Sequence, residues 1–278
     1  MTCRQALDRA ASFLSELPTA RRDAELLLLY ILGRHRAWLL AHSEAELTQE
    51  QARQFEDWIQ RRALHEPVQY ILGKQEFFGL AMRVTPAVLI PRPETEHLVE
   101  ALLQRVPKDA PLRICDVGTG SGAIAVALAH ALPGAQITAL DCSAAALDVA
   151  RQNAVRHSVA DRLRIAESDL LGAVRRERFD AVVSNPPYVA LSEVVEPQVR
   201  EYEPSEALYA GPTGLEVYWR LVPEADEVLV PGGWLLLEIG HGQREALSEL
   251  LAEWDGVEFV DDLAGIPRVA IARRRVSQ

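Results

Sequence analysis

From Leu112 onward, apolar runs of strand length alternate with longer runs of helical period, and nothing else in the sequence constrains the fold as strongly. Residues 112–117, 136–141, 163–167 and 179–184 read as strands, with helical patterns over 123–132 and 144–157 between them. Parallel strands need helical crossovers, so this alternation predicts an α/β domain built on a doubly wound, mostly parallel sheet covered on both faces. A helix near 215–230, a strand at 234–239, a helix at 244–254 and closing strands around 257–261 and 269–273 complete the pattern. Upstream the period changes. Leu7, Ala10 and Leu14, then Leu26, Leu29 and Tyr30, then Phe55, Ile59 and Leu64 recur at helical spacing, punctuated by Pro18, Gly33, Thr48 and Pro67. They predict a small bundle of four or five short helices, with Trp38 and Trp58 in its core. Alternation over 77–84 reads as a hairpin, followed by Pro91–Thr95 and a helix over 96–106. The expected division is a helical domain at 1–75, a hairpin linker at 76–95 and an α/β domain at 96–278.

Composition narrows the function classes. At 278 residues, 49% hydrophobic and 25% charged, the chain is expected to form two packed domains, and wholesale disorder is excluded. The apolar stretch 26–32 is too short to span a membrane, and the start lacks the pattern of a secretory signal; a cytoplasmic protein with no membrane partner is expected. Cys3, Cys115 and Cys142 have no Cys-x-x-Cys spacing and read as small buried apolar residues, so no metal is expected. Residues 1–75 carry ten basic and ten acidic side chains, so the formal charge of −11 belongs wholly to residues 76–278. That sign repels phosphate backbones, and Arg175, Arg176 and Arg178, interrupted by Glu177, read as a solvated loop. Direct nucleic-acid binding is not expected.

Two loops carry the chemistry. Asp116-Val-Gly118-Thr119-Gly120-Ser121-Gly122 follows the first strand of the alternating region, where glycine lets the backbone approach a ligand closely. Asp141 ends the next strand, about twenty residues on, where an acid can accept from both ribose hydroxyls; the spacing suits a dinucleotide or S-adenosylmethionine. An acid there can also cap the following helix, although Ser143 is placed to do so instead. Asp116 needs a hydrogen-bonding or cationic partner if it is buried, and a ligand ammonium is one. Farther on, a buried strand runs into Asn185-Pro186-Pro187-Tyr188. Two prolines stop the strand, leaving the Asn185 side chain and the Pro186 carbonyl as unclaimed acceptors beside an aromatic face. A planar amino or amide group needs such a pair.

At these residues the sequence resembles a known family. Asn185-Pro-Pro-Tyr188 is similar to the signature of class I methyltransferases that modify planar nitrogen. Glu66-Pro-Val-Gln-Tyr-Ile-Leu-Gly73, Ile90-Pro-Arg-Pro-Glu-Thr-Glu96, Asp116–Ile124, Gly214-Leu215, Pro231–Gly240 and Asp262-Leu-Ala-Gly265 narrow the resemblance to the peptide-chain release factor glutamine methyltransferases. It implies a class I, Rossmann-like sheet of seven strands after a helical substrate-docking domain. It also implies S-adenosylmethionine as cofactor, S-adenosylhomocysteine as product and class 1 release factors as protein partners, methylated on the Gly-Gly-Gln glutamine. By the same resemblance, Asp116, Gly118, Thr119, Gly120, Ser121, Gly122, Asp141, Asp169, Leu170 and Asn185 serve the cofactor. Leu170 stands where relatives often carry Trp beside the adenine. Asn185, Pro186 and Tyr188 are the implied catalytic residues, with Pro187, Arg92, Pro93 and Thr95 also bordering the substrate. Glu201 and Glu238 read as structural ion-pair partners. The alternatives are a glutamine methyltransferase of a ribosomal protein and an adenine methyltransferase acting on nucleic acid.

Overall fold

Five helices form where the sequence carries helical period: α1 (Cys3–Phe13), α2 (Ala20–Leu32), α3 (Arg36–Ala41), α4 (Gln49–Ala63) and α5 (Val68–Leu72). Thr2 and Thr48 start α1 and α4 as capping boxes with Gln5 and Gln51, each pair satisfying two amides that helix ends otherwise leave open. Gly33 and Gly73 end α2 and α5 at φ 61° and 68°, a left-handed conformation that glycine adopts without strain. Their core gathers Cys3, Leu7, Leu14, Leu27, Leu28, Phe55 and Ile59, with Trp58 packed against it. Trp38 does not join that core. It lies on six-residue α3, which buries only Leu39, and stacks on His42 with ring centroids 4.7 Å apart.

The chain continues with hairpin strands β1 (Lys74–Phe77) and β2 (Leu80–Arg83), helix α6 (Glu96–Leu103), then β3 (Arg113–Val117), α7 (Ala123–Ala131), β4 (Gln136–Asp141), α8 (Ala144–Arg156), β5 (Leu163–Glu167) and β6 (Phe179–Ser184). Short β7 (Val189–Ala190), α9 (Pro197–Tyr202) and β8 (Tyr209–Gly211) precede α10 (Glu216–Val228), β9 (Leu229–Glu238), α11 (Arg244–Leu250), β10 (Asp255–Asp261) and β11 (Pro267–Arg273). This computed structural model describes residues 1–276. Contacts divide them into two units, Met1–Lys74 with Val195–Tyr202, and Gln75–Val194 with the chain from Glu203 onward. The excursion of 195–202 into the helical unit has a local cause. Arg62 Nε donates to Asp23 at 2.7 Å in a buried ion pair and Nη2 reaches Gln198 Oε1 at 3.2 Å, while the Tyr202 hydroxyl donates to the Leu64 carbonyl at 2.6 Å.

In the second unit seven strands lie in the order β10-β11-β9-β6-β3-β4-β5, and only β11 runs against the rest. Alternate residues feed two cores. Ile114, Ala181, Val183, Leu236 and Ile271 enter one, whereas Cys115, Val182, Leu235, Leu237 and Ala270 enter the other. Burial of both faces explains why these strands read as unbroken apolar runs. The expected hairpin forms with its first strand starting earlier, at Lys74, and Phe78 and Gly79 make its turn at φ 52° and 73°. β9 begins five residues before the expected 234, since Pro231-Gly232-Gly233 forms a bulge in the strand between Leu229, paired with Phe179, and Trp234, paired with Ala181.

Candidate active site

The strand order reverses at β3: β4 and β5 extend to one side, and the chain returns to lay β6 on the other. A ligand crevice forms at the carboxyl ends of strands at such a reversal. Gly118, Gly120 and Gly122, at φ 71°, 53° and 80°, turn the chain from β3 into α7. A side chain at Gly122 would meet the Ala150 Cβ at 3.1 Å, so this glycine lets α8 approach the loop. Asp141 braces the same loop: Oδ2 accepts from the Gly120 amide at 2.8 Å and Oδ1 from the Ser143 amide at 2.9 Å. Burial pushes its carboxyl up, and those amide bonds oppose the shift. Ser143 caps α8 by accepting from the Ala146 amide, which frees Asp141 from that task. Sequence reasoning missed Asn153. Wholly buried on α8, it donates to the Ser121 carbonyl at 2.8 Å and exchanges bonds with the Arg83 backbone, pinning the glycine loop and the hairpin to one helix.

Among the residues singled out in the sequence, Gly118, Gly120, Asp141, Asp169, Leu170, Asn185 and Pro187 line one cleft at these strand ends. Cys142 lines it too, exposed rather than buried as expected, because it follows the last residue of β4, beyond the packed sheet. Arg220 closes one side and donates to Asp169 at 2.6 Å, an exposed pair of small energetic weight. Asp116, Thr119, Ser121 and Gly122 are buried behind the loop. Asp116 Oδ2 accepts from the Thr119 hydroxyl at 2.6 Å and the Ala125 amide at 3.2 Å; Oδ1 is buried without a partner, and burial pushes the carboxyl up to about 7. Arg92, Pro93, Thr95, Pro186 and Tyr188 stand outside the cleft lining.

Asn185 follows β6, fourth of the seven strands, and its carbonyl oxygen lies 3.9 Å from where a Gly118 Cβ would stand. The Ser184 hydroxyl donates to the Val117 carbonyl at 2.7 Å and ties the two strand ends together. Asn185 Nδ2 donates to Thr95 Oγ1 at 3.1 Å, which leaves Oδ1 to an incoming donor. Tyr188 is clamped. Its hydroxyl donates to Glu238 Oε1 at 3.3 Å and its carbonyl accepts from Gln243 Nε2 at 3.0 Å. Glycine is required around it: a Cβ on Gly240 would stand 3.0 Å from the Tyr188 ring, and one on Gly214 2.5 Å from the Tyr188 carbonyl oxygen.

Of the two acids read as ion-pair partners, Glu238 departs from that reading and Glu201 keeps to it. Glu238, 2% exposed, takes the Tyr188 hydroxyl rather than an ion pair, and burial pushes its carboxyl up to about 7. Glu201 is an ion-pair partner as expected, joined at the surface to its neighbour Arg200 at 2.9 Å. A buried anchor is supplied by Glu203, which the sequence reading did not single out. Its buried carboxylate accepts from Arg92 Nη2 at 2.5 Å and from the Ile90 amide at 3.1 Å, tying the segment before α6 to the chain after α9. Among the described residues no group of three or more His, Cys, Asp or Glu could hold a metal ion, and no helix is long and apolar enough to cross a membrane.

Comparison with known proteins places this geometry in context. Residues 5–73 match the PrmC N-terminal domain and residues 95–201 the methyltransferase small domain. The chain is 44% identical over 282 residues to a release factor glutamine methyltransferase of Koribacter versatilis, covering 100% of both chains. It is 44% identical over 281 residues to one from Geobacter sulfurreducens, covering 98% of this chain and 96% of that one. The Escherichia coli protein of the same name is 39% identical over 273 residues, with 96% and 97% covered. Solved structures share the fold. A methyltransferase from Pyrococcus furiosus superposes with TM-score 0.53 at 19% identity, over 83% of this chain and 100% of that one. A ribosomal protein L11 methylase from Lactobacillus delbrueckii subsp. bulgaricus gives 0.51 at 24%, over 70% and 86%.

Proposed function

We propose that this chain, which belongs to the release factor glutamine methyltransferase family, methylates the side-chain nitrogen of a release-factor glutamine with S-adenosylmethionine as donor, leaving S-adenosylhomocysteine. One observation carries the reading: the Asn185 amide has its nitrogen committed to Thr95 and its oxygen free, beside a glycine loop that floors the cleft.

The cleft suits the donor. No side chain covers Gly118 or Gly120, Asp141 stands at the wall where ribose hydroxyls can donate to its remaining lone pairs, and Leu170 supplies an apolar face for adenine. Behind the loop, Asp116 Oδ1 is a buried acceptor without a partner, and a cationic ligand nearby would draw that carboxyl toward its ionised form. When bound, S-adenosylmethionine supplies an electrophilic methyl group. The chain's own residues supply orientation. An amide nitrogen is a weak nucleophile because its lone pair is delocalised, and Asn185 Oδ1 with the Pro186 carbonyl accepts its two N–H groups so that the lone pair faces the methyl. Pro186 and Pro187 have no amide hydrogens to compete for those acceptors. Fixing both reactants in line contributes several kcal/mol, out of a ceiling of about 7–11 kcal/mol for positioning. Once alkylated, the nitrogen releases one of its protons along its hydrogen bond to one of those two oxygens, and the proton passes to water. Tyr188, clamped by Glu238 and Gln243, walls the amide site; Arg92 and Pro93 form its border. In this reading the helical unit docks the release factor, and the reaction belongs to the cytoplasm, where release factors work.

The test is label transfer. Purified protein with labelled S-adenosylmethionine should mark a class 1 release factor carrying Gly-Gly-Gln and leave a Gly-Gly-Glu variant, ribosomal proteins and DNA unmarked. Label on a ribosomal protein or on DNA instead would overturn the substrate.

A further inference from the structure

The Asn185 amide can sit either way round in its pocket, and only one orientation offers an oxygen to the substrate. A threonine hydroxyl alone does not choose, because it can donate or accept. What surrounds Thr95 removes that freedom. Thr95 is 4% exposed at the start of α6, with Oγ1 3.1 Å from Asn185 Nδ2. Its hydroxyl favours the ionised form of buried Glu238, whose Oε1 already takes the Tyr188 hydroxyl and whose Oε2 is buried with no hydrogen-bond partner. That vacant acceptor suits a single proton.

We propose that Glu238 and Thr95 are positioning residues for methyl transfer: the Glu238 carboxylate accepts a hydrogen bond from the Thr95 hydroxyl, so Thr95 Oγ1 can only accept from Asn185, and Asn185 is held with Nδ2 inward and Oδ1 toward the substrate amide. Neither residue touches substrate or cofactor. This makes Thr95 a determinant of Asn185 orientation rather than a border of the substrate site, and its catalytic consequence rests on the reaction proposed above. The lever is the charge on Glu238, which titrates at about 7. Around it, Tyr188 and Tyr218 are held above the ordinary tyrosine range, Arg268 is paired with Asp262 at 2.9 Å, and Glu94 adds a nearby negative charge. Above pH 7 the carboxylate accepts the hydrogen bond of the Thr95 hydroxyl. Below it, the neutral acid carries its own proton, Thr95 turns free, and the amide loses its preferred orientation.

Two readouts decide this on the full-length protein. In ¹⁵N-labelled protein, the Asn185 side-chain amide signals, identified by their loss in Asn185→Ala, should move as pH crosses about 7. They should lose that response in Glu238→Gln, lose their hydrogen-bonded shift in Thr95→Val and keep it in Thr95→Ser. With a Gly-Gly-Gln release factor as substrate, Thr95→Val should lower kcat on the order of 10²-fold, the scale of a misplaced reacting group, while KM and the affinity for S-adenosylhomocysteine stay near native. Thr95→Ser should recover most of kcat, and the acidic fall in kcat near pH 7 should vanish in Glu238→Gln. Native amide signals in Thr95→Val, or a pH response that survives Glu238→Gln, would overturn the proposal. If the native protein transfers nothing to the release factor, the proposed reaction fails while the amide signals still decide the orientation.

Discussion

At the scale of single residues, the site separates groups that meet the reacting atoms from groups that hold them. Asn185→Ala deletes the proposed acceptor without touching the glycine loop, so kcat should fall at least about 10²-fold. Calorimetric affinity for S-adenosylhomocysteine should stay native; a matching loss of affinity would move Asn185 into the cofactor site. Asp116 gives a prediction on stability. Its carboxyl sits at about 7 in the folded chain against an ordinary 3.8. The folded state therefore keeps a proton that the unfolded chain has already released, and burial destabilises progressively as pH rises from about 4 to about 7. Asp116→Asn stays neutral, so its thermal midpoint should gain on the native protein's across that window and gain nothing more above it. A difference that stays flat with pH would mean the charge is balanced within the fold. Asp116 was legible as a buried acid from its place at the end of an apolar strand, but its unpaired oxygen was not, because hydrogen-bond satisfaction depends on how α7 approaches β3.

Elements position these residues through close approaches that only small side chains allow. Tyr188 sits between Gly240, at the end of β9, and Gly214, just before α10. In Gly240→Ala the new methyl would stand 3.0 Å from the Tyr188 ring. The ring must shift, at an expected loss of about 1–3 kcal/mol of stability in urea denaturation. kcat should fall more than KM rises; native kcat would show that Tyr188 placement does not matter to the reaction. The sequence marked Gly214 and Gly240 only as parts of a resemblance. Their physical reason is the path of the Tyr188 backbone and ring, which no local pattern states. The glycine loop, by contrast, was readable in the sequence, since a strand, three glycines and a helix lie within eleven residues of one another and turn chemistry is local.

Across the whole molecule, buried polar pairs join segments far apart in sequence. Arg62 and Asp23 are 5% and 7% exposed, and Arg62 also holds Gln198. Arg62→Met should lower stability by about 3–5 kcal/mol by stranding Asp23, and adding Asp23→Leu should recover much of it. A double variant no better than the single would show that α9 docking, not the stranded charge, dominates. Charge acts at this scale as well. With all of the −11 on residues 76–278, the protein should show no mobility shift with duplex DNA at low salt; a shift that weakens steeply with added salt would reveal a basic surface that the count conceals.

The sequence by itself determined the order of strands and helices, the glycine loop after β3, the acid at the end of β4 and the proline-stopped strand that presents Asn185. Each is written in neighbouring residues, through hydrophobic period, capping and the backbone limits of glycine and proline. Only the tertiary structure decided that Thr95 meets Asn185, that Glu203 anchors Arg92, that Gln198 joins the helical unit and that Cys142 opens onto the cleft. Those partners lie scores of residues apart. Which distant polar groups meet is settled by the packing of two cores against one sheet, and a buried donor or acceptor accepts whichever partner that packing brings within reach.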